Sequence, residues 1–458
     1  MYLYAVFVLM ALLTLCAELK SMKGRGSVIP YAGVGDQNDN YSITVEGQNV
    51  PVNAWSHAGR TAHYAHFEFT GTVTIEITNK LGDFGPASIS PKRFSISPTI
   101  SGSKATFTLS TPRKLVVYAG GTRIFIFAEG PQTTPSQSDL LPGTLNTNHS
   151  LSSYAGDTAP TSTSGPLTFL SNPLRGARMV GRGTYQRGNT VELYNLDNFR
   201  MEGVVYRQTS SNAWALIPRY LTNSVLSNLK ILSQFGTTNT DGIDLDNSNN
   251  LLIEDVFVFS GDDSICLKGM PFRFPYGPAP TYGVPQPAVP VHDITVRNAV
   301  LLSTWNAMQF GPEDASDIYN VSFENIDVLE AYSGISVSAV TSLQNIHYNN
   351  VRIESTWSQI FMNVEHEHTT KPGTMYVDNL IVDQPKGISV TSYPQRLDIY
   401  FTNLTVAGRH IASLDDLQQV AGSANVIVSG EVGLHFDSNT SPLPVADTNP
   451  PAAPNGSS

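Results

Sequence analysis

Residues 239–269 read NTDGIDLDNSNNLLIEDVFVFSGDDSICLKG and contain one short pattern twice. Each copy has an acidic lead, Asp241 in the first and Asp262 with Asp263 in the second, followed by alternating apolar residues. Such alternation is typical of a strand with one buried face. A third alternating run, 252–258, lies between the copies, and Asp262 follows Asp241 by 21 residues. If one turn of a coiled sheet takes about that many residues, the two acidic strands stack roughly 4.8 Å apart and form one site.

The acidic residues at the start of each copy differ from ordinary turn residues. Asp and Asn are common in tight turns, which explains those of 246–249. Two adjacent carboxylates repel each other, however, and a third brought close by stacking raises the pKa of at least one of them. Such a cluster provides a protonated and an ionised carboxyl at the same pH. We therefore predict that Asp241, Asp262 and Asp263 are catalytic.

The composition indicates a β protein that does not bind nucleic acid. The chain has 458 residues, which is enough for two domains with cores of their own. Charged residues make up only 14%, whereas Gly (36) and Pro (29) are frequent, as is typical of turn-rich β folds. The formal charge of -11 argues against nucleic acid as a partner and says little about neutral sugars.

The first residues are predicted to be a secretory signal peptide, 1–17. Residues 2–16 are apolar apart from Thr14, and fifteen residues are too few to span a bilayer comfortably. We expect a secreted, extracellular protein with no membrane association after cleavage. Removal of the signal takes Cys16 away and leaves Cys266 alone, so the mature chain has no intrachain disulfide. Six N-x-S/T sequons agree with a secreted glycoprotein: Asn40, Asn148, Asn320, Asn403, Asn439 and Asn455.

The rest of the chain divides into four segments. Short alternating strands separated by turn residues over 27–131 predict an antiparallel β-sandwich. A Ser/Thr/Pro/Gly-rich linker is predicted over 132–168, and a disordered tail over 436–458. The intervening 169–435 are predicted to form a parallel β-helix that holds the catalytic site.

A repeat supports the β-helix. A turn residue followed by an apolar strand recurs at intervals of 25, 27, 43, 27, 25, 29 and 24 residues, with no helical pattern. A period in the twenties with strand character predicts coils that bury their apolar residues against one another and stack Asn at the bends. The repeated positions are Gly203, Asn228, Asp255, Asn298, Asn325, Asn350, Asn379 and Asn403.

The segments NTDGID and SGDDSICLKG resemble the two carboxylate motifs of the polygalacturonase-like glycoside hydrolases of family 28. The resemblance covers roughly 176–430, and the fold and amino-terminal module also resemble the dextranase and isopullulanase family 49. It implies a right-handed, single-stranded parallel β-helix of the pectin-lyase-like kind and an inverting mechanism without metal or organic cofactor. Asp262 then corresponds to the general acid, and Asp241 with Asp263 to the pair that activates water. Such a mechanism places acid and base about 6.5 to 9.5 Å apart.

Two segments depart from the family pattern. Residues 305–311, WNAMQFG, stand where polygalacturonases carry a histidine, and 334–338, GISVS, stand where they carry basic residues that bind the substrate carboxylate. An acidic protein without these cations is poorly matched to a charged uronic acid. We therefore predict that uncharged glycans are preferred over polygalacturonate, with Ser336 and Ser338 marking the difference.

Five further residues are predicted to bind substrate. By alternation with Ile265 and Leu267, Lys268 points outward, where it either binds a sugar hydroxyl, pairs with a carboxylate or is an ordinary surface lysine. Asp244 faces outward in the same way, and Trp214 is either a sugar-stacking platform or a core residue. Asn239 and Gln309, from the motif segments, complete the set.

The resulting hypothesis is a secreted, monomeric hydrolase that cleaves a pectic or related cell-wall polysaccharide with inversion. One alternative is a dextranase-like α-glucan hydrolase, and another is a non-catalytic carbohydrate-binding β-helix. No metal site is predicted, because the His366-Glu367-His368 run is more typical of solvated loop histidines.

Overall fold

The computed structural model forms two compact units. One comprises 1–134 with 173–175, and the other comprises 135–172 with 176–458. The residues described are 27–30, 36–37, 40–57, 60–130, 151–154, 178–179, 190–194, 199–207, 214–233, 238–273, 285–312, 316–338, 342–367 and 369–437. The predicted signal peptide and nearly all of the predicted tail lie outside these residues.

The first unit consists of short strands and one 3-10 turn, Lys92–Phe94. The strands are β1 (Val28–Pro30), β2 (Asp36–Gln37), β3 (Tyr41–Val45), β4 (Gln48–Val50), β5 (Asn53–His57), β6 (Arg60–Phe69), β7 (Val73–Asn79), β8 (Ala87–Ser90), β9 (Thr99–Ser101), β10 (Lys104–Leu109), β11 (Arg113–Ala119) and β12 (Thr122–Glu129).

These strands form two sheets that share one core. The first has the order β2-β5-β6-β12-β11-β8 with β1 on β6, and the second has the order β4-β3-β7-β10-β9. Pairing is antiparallel except between β6 and β12. Ile75 of one sheet and Phe67 of the other lie in the same fully buried cluster. The predicted β-sandwich is confirmed.

The second unit is almost entirely strands. They are β13 (Leu151–Tyr154), β14 (Arg178–Met179), β15 (Thr190–Tyr194), β16 (Arg200–Glu202), β17 (Val205–Arg207), β18 (Leu216–Arg219), β19 (Thr222–Ser227), β20 (Lys230–Leu232), β21 (Ile243–Asp246), β22 (Asn249–Glu254), β23 (Phe257–Ser260), β24 (Ile265–Lys268), β25 (Phe272–Arg273), β26 (Pro285–Gln286), β27 (Val291–Ser303), β28 (Asn306–Phe310), β29 (Asp317–Glu330), β30 (Ser333–Val337), β31 (Ser342–Ile353), β32 (Ile360–Glu367), β33 (Gly373–Val382), β34 (Gly387–Thr402), β35 (Thr405–Val406), β36 (Arg409–His410) and β37 (Val426–Phe436).

The strands stack in three parallel columns, which confirms the predicted right-handed parallel β-helix. One column runs β15-β18-β21-β24-β28-β30-β32-β34-β37, and it carries the acidic segments. Its inward side chains form apolar stacks, such as Leu245 on Leu267 on Phe310, all fully buried. Helix α1 (Leu414–Ala421), capped by the Ser413 side chain, adds Leu417 to this core.

The repeated Gly/Asn/Asp positions stack at one bend of the coil, as predicted. All eight have φ between 51° and 70°, the left-handed region that Gly and Asn tolerate best. The Asn325 amide donates to Asn298 Oδ1 (2.7 Å), and the Asn403 amide donates to Asn379 Oδ1 (3.0 Å). These side-chain bonds form a ladder along the coils and reinforce the strand register.

A second ladder, not predicted, follows another bend. The Asn320 amide donates to Asp293 Oδ1 (3.0 Å), and the Asn345 amide donates to Asn320 Oδ1 (2.9 Å).

The segment 132–168, predicted as a linker, contains β13, which pairs antiparallel with β15. No helix among the described residues is long and apolar enough to cross a membrane.

Candidate active site

The two acidic segments lie on successive coils, because β21 pairs in parallel with β24. Ile243 is opposite Ile265, and the Gly242 amide donates to the Asp263 carbonyl (2.8 Å). Each of Asp241 and Asp263 stands two residues before the first isoleucine of its strand, so Asp241 is level with Asp263. The strands are therefore stacked as predicted, and the pairing of Ile243 with Ile265 shows which of the two adjacent carboxyls is level with Asp241.

The structure brings the three predicted catalytic carboxyls together. One carboxylate oxygen from each of Asp241, Asp262 and Asp263 lies within 4.8 Å of the others. Asp241 and Asp263 are buried, and Asp262 is partly accessible. This closest approach of single oxygens is shorter than the about 6.5 to 9.5 Å predicted between the acid and base carboxyl groups. Parallel coils stack at about 4.8 Å, which brings Asp241 close to Asp263 on the next coil.

Asp262 is fixed by contacts from both neighbouring coils. Its Oδ2 accepts a hydrogen bond from the Asn239 backbone amide (2.6 Å), so the predicted residue Asn239 contributes its main chain. The Asp262 carbonyl accepts from the hydroxyls of Ser260 (2.8 Å) and Ser303 (2.5 Å). The Thr304 hydroxyl holds the neighbouring Gly261 carbonyl. These contacts hold the carboxyl in place before any substrate is bound.

The two buried carboxyls have different partners. Asp263 Oδ1 accepts a hydrogen bond from the Asn306 backbone amide (3.0 Å), which comes from the following coil. Asp241 Oδ1 is buried and has no hydrogen-bond partner among the described residues. An acceptor in that condition is normally satisfied by water or a ligand. Asp241 therefore presents an unused acceptor inside the cluster.

Lys268 is the cation of the site. Its Nζ lies 3.0 Å from Asp244 Oδ1 and 3.8 Å from Asp241 Oδ2. It also lies 3.5 Å from the ring centroid of Trp214. Of the alternatives for Lys268, the structure shows pairing with a carboxylate. Trp214, predicted as a sugar platform or a core residue, is half-buried and packs against this cation.

Two predicted substrate-binding residues are buried. Asp244 has no exposed surface, although its side chain alternates outward from the coil as predicted, and it neutralises Lys268. Gln309 is 2% exposed and donates to the Ser338 hydroxyl (2.8 Å). Neither side chain reaches solvent, so the structure gives no support to direct contact with a sugar. His366, predicted to be solvated, is also buried and bonds to Ser392 (2.8 Å), whereas His368 lies outside the described residues.

Burial makes the cluster hard to ionise. It raises the pKa of Asp263 to about 8, with a further increase from Asp262 and opposing contributions from the Asn306 amide and Lys268. Burial also raises the pKa of Asp241 well above its ordinary value, and Asp244 adds to the increase while Lys268 opposes it. Burial thus opposes the expected ionisation of Asp241 and Asp263, whereas Lys268 favours it.

Gly242 permits the close approach of the two coils. A Cβ at this position would lie 2.2 Å from Val258 Cγ1 and 2.5 Å from the Ser264 carbonyl oxygen. The sequence NTDGID therefore needs glycine beside Asp241 for steric reasons. Without it, the strand that carries Asp241 would shift relative to Asp263.

Three contributors were not predicted from the sequence: Ser303, Trp305 and Asn306. They lie on the coil after Asp262 and Asp263, and the Trp305 amide donates to the Ser303 hydroxyl (2.8 Å). Asn306 contributes its backbone amide, and a contact of the backbone cannot be predicted from residue type. The available signal was the interval of 43 residues from Asp262 to Trp305, which equals the repeat interval from Asp255 to Asn298.

Among the described residues, these three carboxylate oxygens are also close enough to one another to hold a metal ion. Oxygen ligands of this kind suit hard cations such as Ca²⁺ or Mg²⁺. Lys268 already supplies positive charge 3.8 Å from Asp241.

Comparison with known proteins supports the resemblance in the acidic segments. The model of Glycosyl hydrolases family 28 matches residues 181–271, which include Asp241, Asp262 and Asp263. A probable polygalacturonase from Vitis vinifera is 28% identical over 158 residues, which are 34% of this chain and 30% of that protein. The chain thus matches less than a third of the length of this relative. The predicted resemblance to family 28 is confirmed.

A solved structure shares the fold of both units. Dex49A from Penicillium minioluteum aligns with a TM-score of 0.50 at 12% identity, over 90% of this chain and 96% of that chain. At this identity the likeness shows the fold, in agreement with the predicted resemblance to the dextranase family.

Proposed function

We propose that this protein is a glycoside hydrolase that cleaves a polysaccharide with Asp241, Asp262 and Asp263. The observation that carries the proposal is the convergence of the three carboxyls within 4.8 Å, supplied by two coils that are separate in sequence. Plain turn residues gain nothing from such mutual repulsion, whereas hydrolysis of a glycosidic bond needs an acid and a base together.

Asp262 is the general acid in this proposal. It is the most accessible of the three carboxyls, so it is the one that a glycosidic oxygen can reach. Once Asp241 and Asp263 are ionised, as activation of water requires, their negative charges favour the protonated form of Asp262.

Asp241 and Asp263 position and deprotonate the attacking water. A water that donates two hydrogen bonds of about 2.8 Å at a tetrahedral angle joins acceptors roughly 4.5 Å apart. Carboxylate oxygens within 4.8 Å of one another match that spacing, and Asp241 Oδ1 is a buried acceptor ready for it. Lys268 and the Asn306 amide favour the ionised form of Asp263. Water attack on the side opposite the leaving group gives inversion.

The proposed substrate is an uncharged stretch of a pectic or related cell-wall polysaccharide. Family resemblance favours a pectic polymer, but the cation near the cluster, Lys268, is already paired with Asp244. Ser336 is 3% exposed, and Ser338 accepts from Gln309, so neither replaces a basic residue. A uronate carboxylate would thus approach an acidic cluster without charge compensation from these positions. We further propose that the protein is secreted and acts as a monomer without a cofactor.

The test is hydrolysis of a polymer panel. The protein is incubated with polygalacturonate, rhamnogalacturonan, dextran and pullulan, and new reducing ends are counted. We expect release from a polymer with fewer or no uronic acid residues, rhamnogalacturonan or a neutral glucan, that is faster than from polygalacturonate and is lost in Asp263→Asn. Asp255→Asn is the matched control, because Asn occupies the equivalent bend in later coils. Fastest release from polygalacturonate overturns the substrate, and release unaffected by Asp263→Asn overturns the site.

The result with dextran tests the second candidate function, that of an α-glucan hydrolase. The fold likeness to Dex49A covers 96% of that chain and favours its inclusion. Release from dextran alone would support this candidate over a pectic substrate. Binding without release from any polymer would support a non-catalytic carbohydrate-binding β-helix.

A further inference from the structure

Three large aromatic residues continue the column of Asp262 along the coils. Ser260 is opposite Ser303, which places Trp305 level with Asp262 on the next coil. Asn306 is opposite Ser333, so Tyr332 is level with Trp305. The bridge between Ala331 and Thr356 places Trp357 level with Tyr332. The aromatic column is Trp305, Tyr332 and Trp357, and it starts one coil beyond Asp262.

The aromatic column is exposed and ordered by its contacts. Trp305 and Trp357 are each 49% exposed, and Tyr332 is 39% exposed. The rings of Trp305 and Tyr332 stack at 4.5 Å with an interplanar angle of 13°. The Trp357 indole donates to Glu330 Oε1 (2.7 Å), which holds that ring in place. Because Tyr332 covers one face of Trp305, the other face is directed toward the coil of Asp262.

We propose that the aromatic column is a substrate subsite that binds uncharged sugar rings on one side of the bond to be cleaved. A sugar ring presents an apolar C–H face that loses water when it packs on an aromatic ring, while its hydroxyls remain hydrated. Asp262 Oδ2 is drawn toward Asn239 on the preceding coil, away from Trp305. A ring on the open face of Trp305 therefore lies beside the carboxyl that we assign as the acid.

Length and charge define the class of ligand. Three coil steps from Asp262 to Trp357 span about 14 Å, which accommodates more than one sugar ring. Carboxylates border the column at both ends, Asp262 at one and Glu330 at the other, so a polyuronate is disfavoured electrostatically. The subsite thus selects a neutral chain segment. This inference rests on the proposed function, because it places the subsite beside the proposed acid.

The experiment is affinity electrophoresis, which measures binding without turnover. Full-length Asp263→Asn protein is run in native gels that contain dextran, pullulan, rhamnogalacturonan or polygalacturonate. We expect the neutral polymers dextran or pullulan to retard it more than the uronate-containing polymers do, and Trp305→Ala with Tyr332→Ala to weaken that retardation about tenfold. The conservative pair Trp305→Phe with Tyr332→Phe should keep most of it. Tyr393→Ala, at a tyrosine that is 64% exposed elsewhere on the coils, is the matched control.

The outcomes separate this inference from the proposed function. Retardation lost in the alanine pair, with no hydrolysis by the unmodified protein, supports the subsite and contradicts the hydrolase. Hydrolysis by the unmodified protein, with equal retardation of the alanine pair and its parent, overturns the subsite. Stronger retardation by polygalacturonate than by every other polymer, or retardation by none, also overturns it.

Discussion

The ammonium of Lys268 lies 3.0 Å from Asp244 Oδ1, and both side chains are almost completely buried. This ion pair stands beside Asp241, whose Oδ2 is 3.8 Å from the same ammonium. Four carboxyls and one cation thus share a small volume. Lys268 opposes the rise that burial causes in the pKa of Asp241 and Asp263. The same cation therefore affects both the stability of the coil and the ionisation of the site.

Lys268→Met should destabilise the protein by about 3–5 kcal/mol, because it removes the cation from a buried carboxylate. The double variant with Asp244→Asn should recover most of that loss, since the buried carboxylate closest to the lost cation is then replaced by a neutral amide. Urea denaturation measures both. Lys371→Met removes an exposed pair with Asp317 and should change stability by less than about 1 kcal/mol. A double variant as unstable as Lys268→Met would contradict the compensation.

The raised pKa of Asp263 predicts the pH dependence of stability. The folded protein keeps a proton that the unfolded chain releases near pH 4, so folding binds protons between about pH 4 and 8. Stability should therefore fall as pH rises through that range. Asp263→Asn cannot ionise and should flatten the fall and be more stable than the parent at pH 8. Thermal melts at pH 4.5, 6 and 8 give the comparison, and equal slopes in both proteins would refute the assignment.

Gly242→Ala should cost about 1–3 kcal/mol and most of the activity. The added methyl overlaps Val258 and the Ser264 carbonyl, which pushes the strand of Asp241 away from Asp263. Gly85→Ala is the control, because a Cβ there has no atom within 4 Å. Denaturation midpoints and reducing-end release measure the two effects. A Gly242→Ala protein with unchanged activity would show that the spacing of the two coils does not matter for turnover.

The sequence predicted the coil register because its bends need left-handed backbone. Asn298, Asn325, Asn350 and Asn379 mark one bend of successive coils, and residue type alone reveals them. The sequence left the level of Asp241 open, because the two acidic leads differ by one carboxylate. Only the strand pairing shows which of Asp262 and Asp263 is level with Asp241.

The sequence did not reveal that the outward-facing residues of this column are buried. Alternation placed Asp244 on the outer side of one column, where it pairs in register with Cys266, and Cys266 with Gln309. All three are nevertheless buried, because an outward side chain on a coil is exposed only if no other chain segment covers it. Trp305 shows the converse, since a large aromatic residue that composition would place in a core is exposed.

The stereochemistry of the product tests the use of water. If Asp241 and Asp263 share a water that attacks directly, the first product has the opposite anomeric configuration to the substrate. Proton NMR of the reducing end during the first minutes of hydrolysis, before mutarotation, measures this. Retention of configuration would mean that one of the two carboxylates attacks the sugar itself, and it would remove the proposed water from the cluster.

Asp262→Asn should show the signature of a missing general acid. Loss of proton donation costs on the order of 10² to 10⁴ in rate on the polysaccharide. The loss should be much smaller on an aryl glycoside of the same sugar, because its leaving group departs with little protonation. Asp255→Asn, seven residues earlier in the same stretch, should keep full activity on both substrates. Equal losses on the two substrates would assign Asp262 to substrate positioning, and near-full activity in a folded Asp262→Asn protein would remove it from the mechanism.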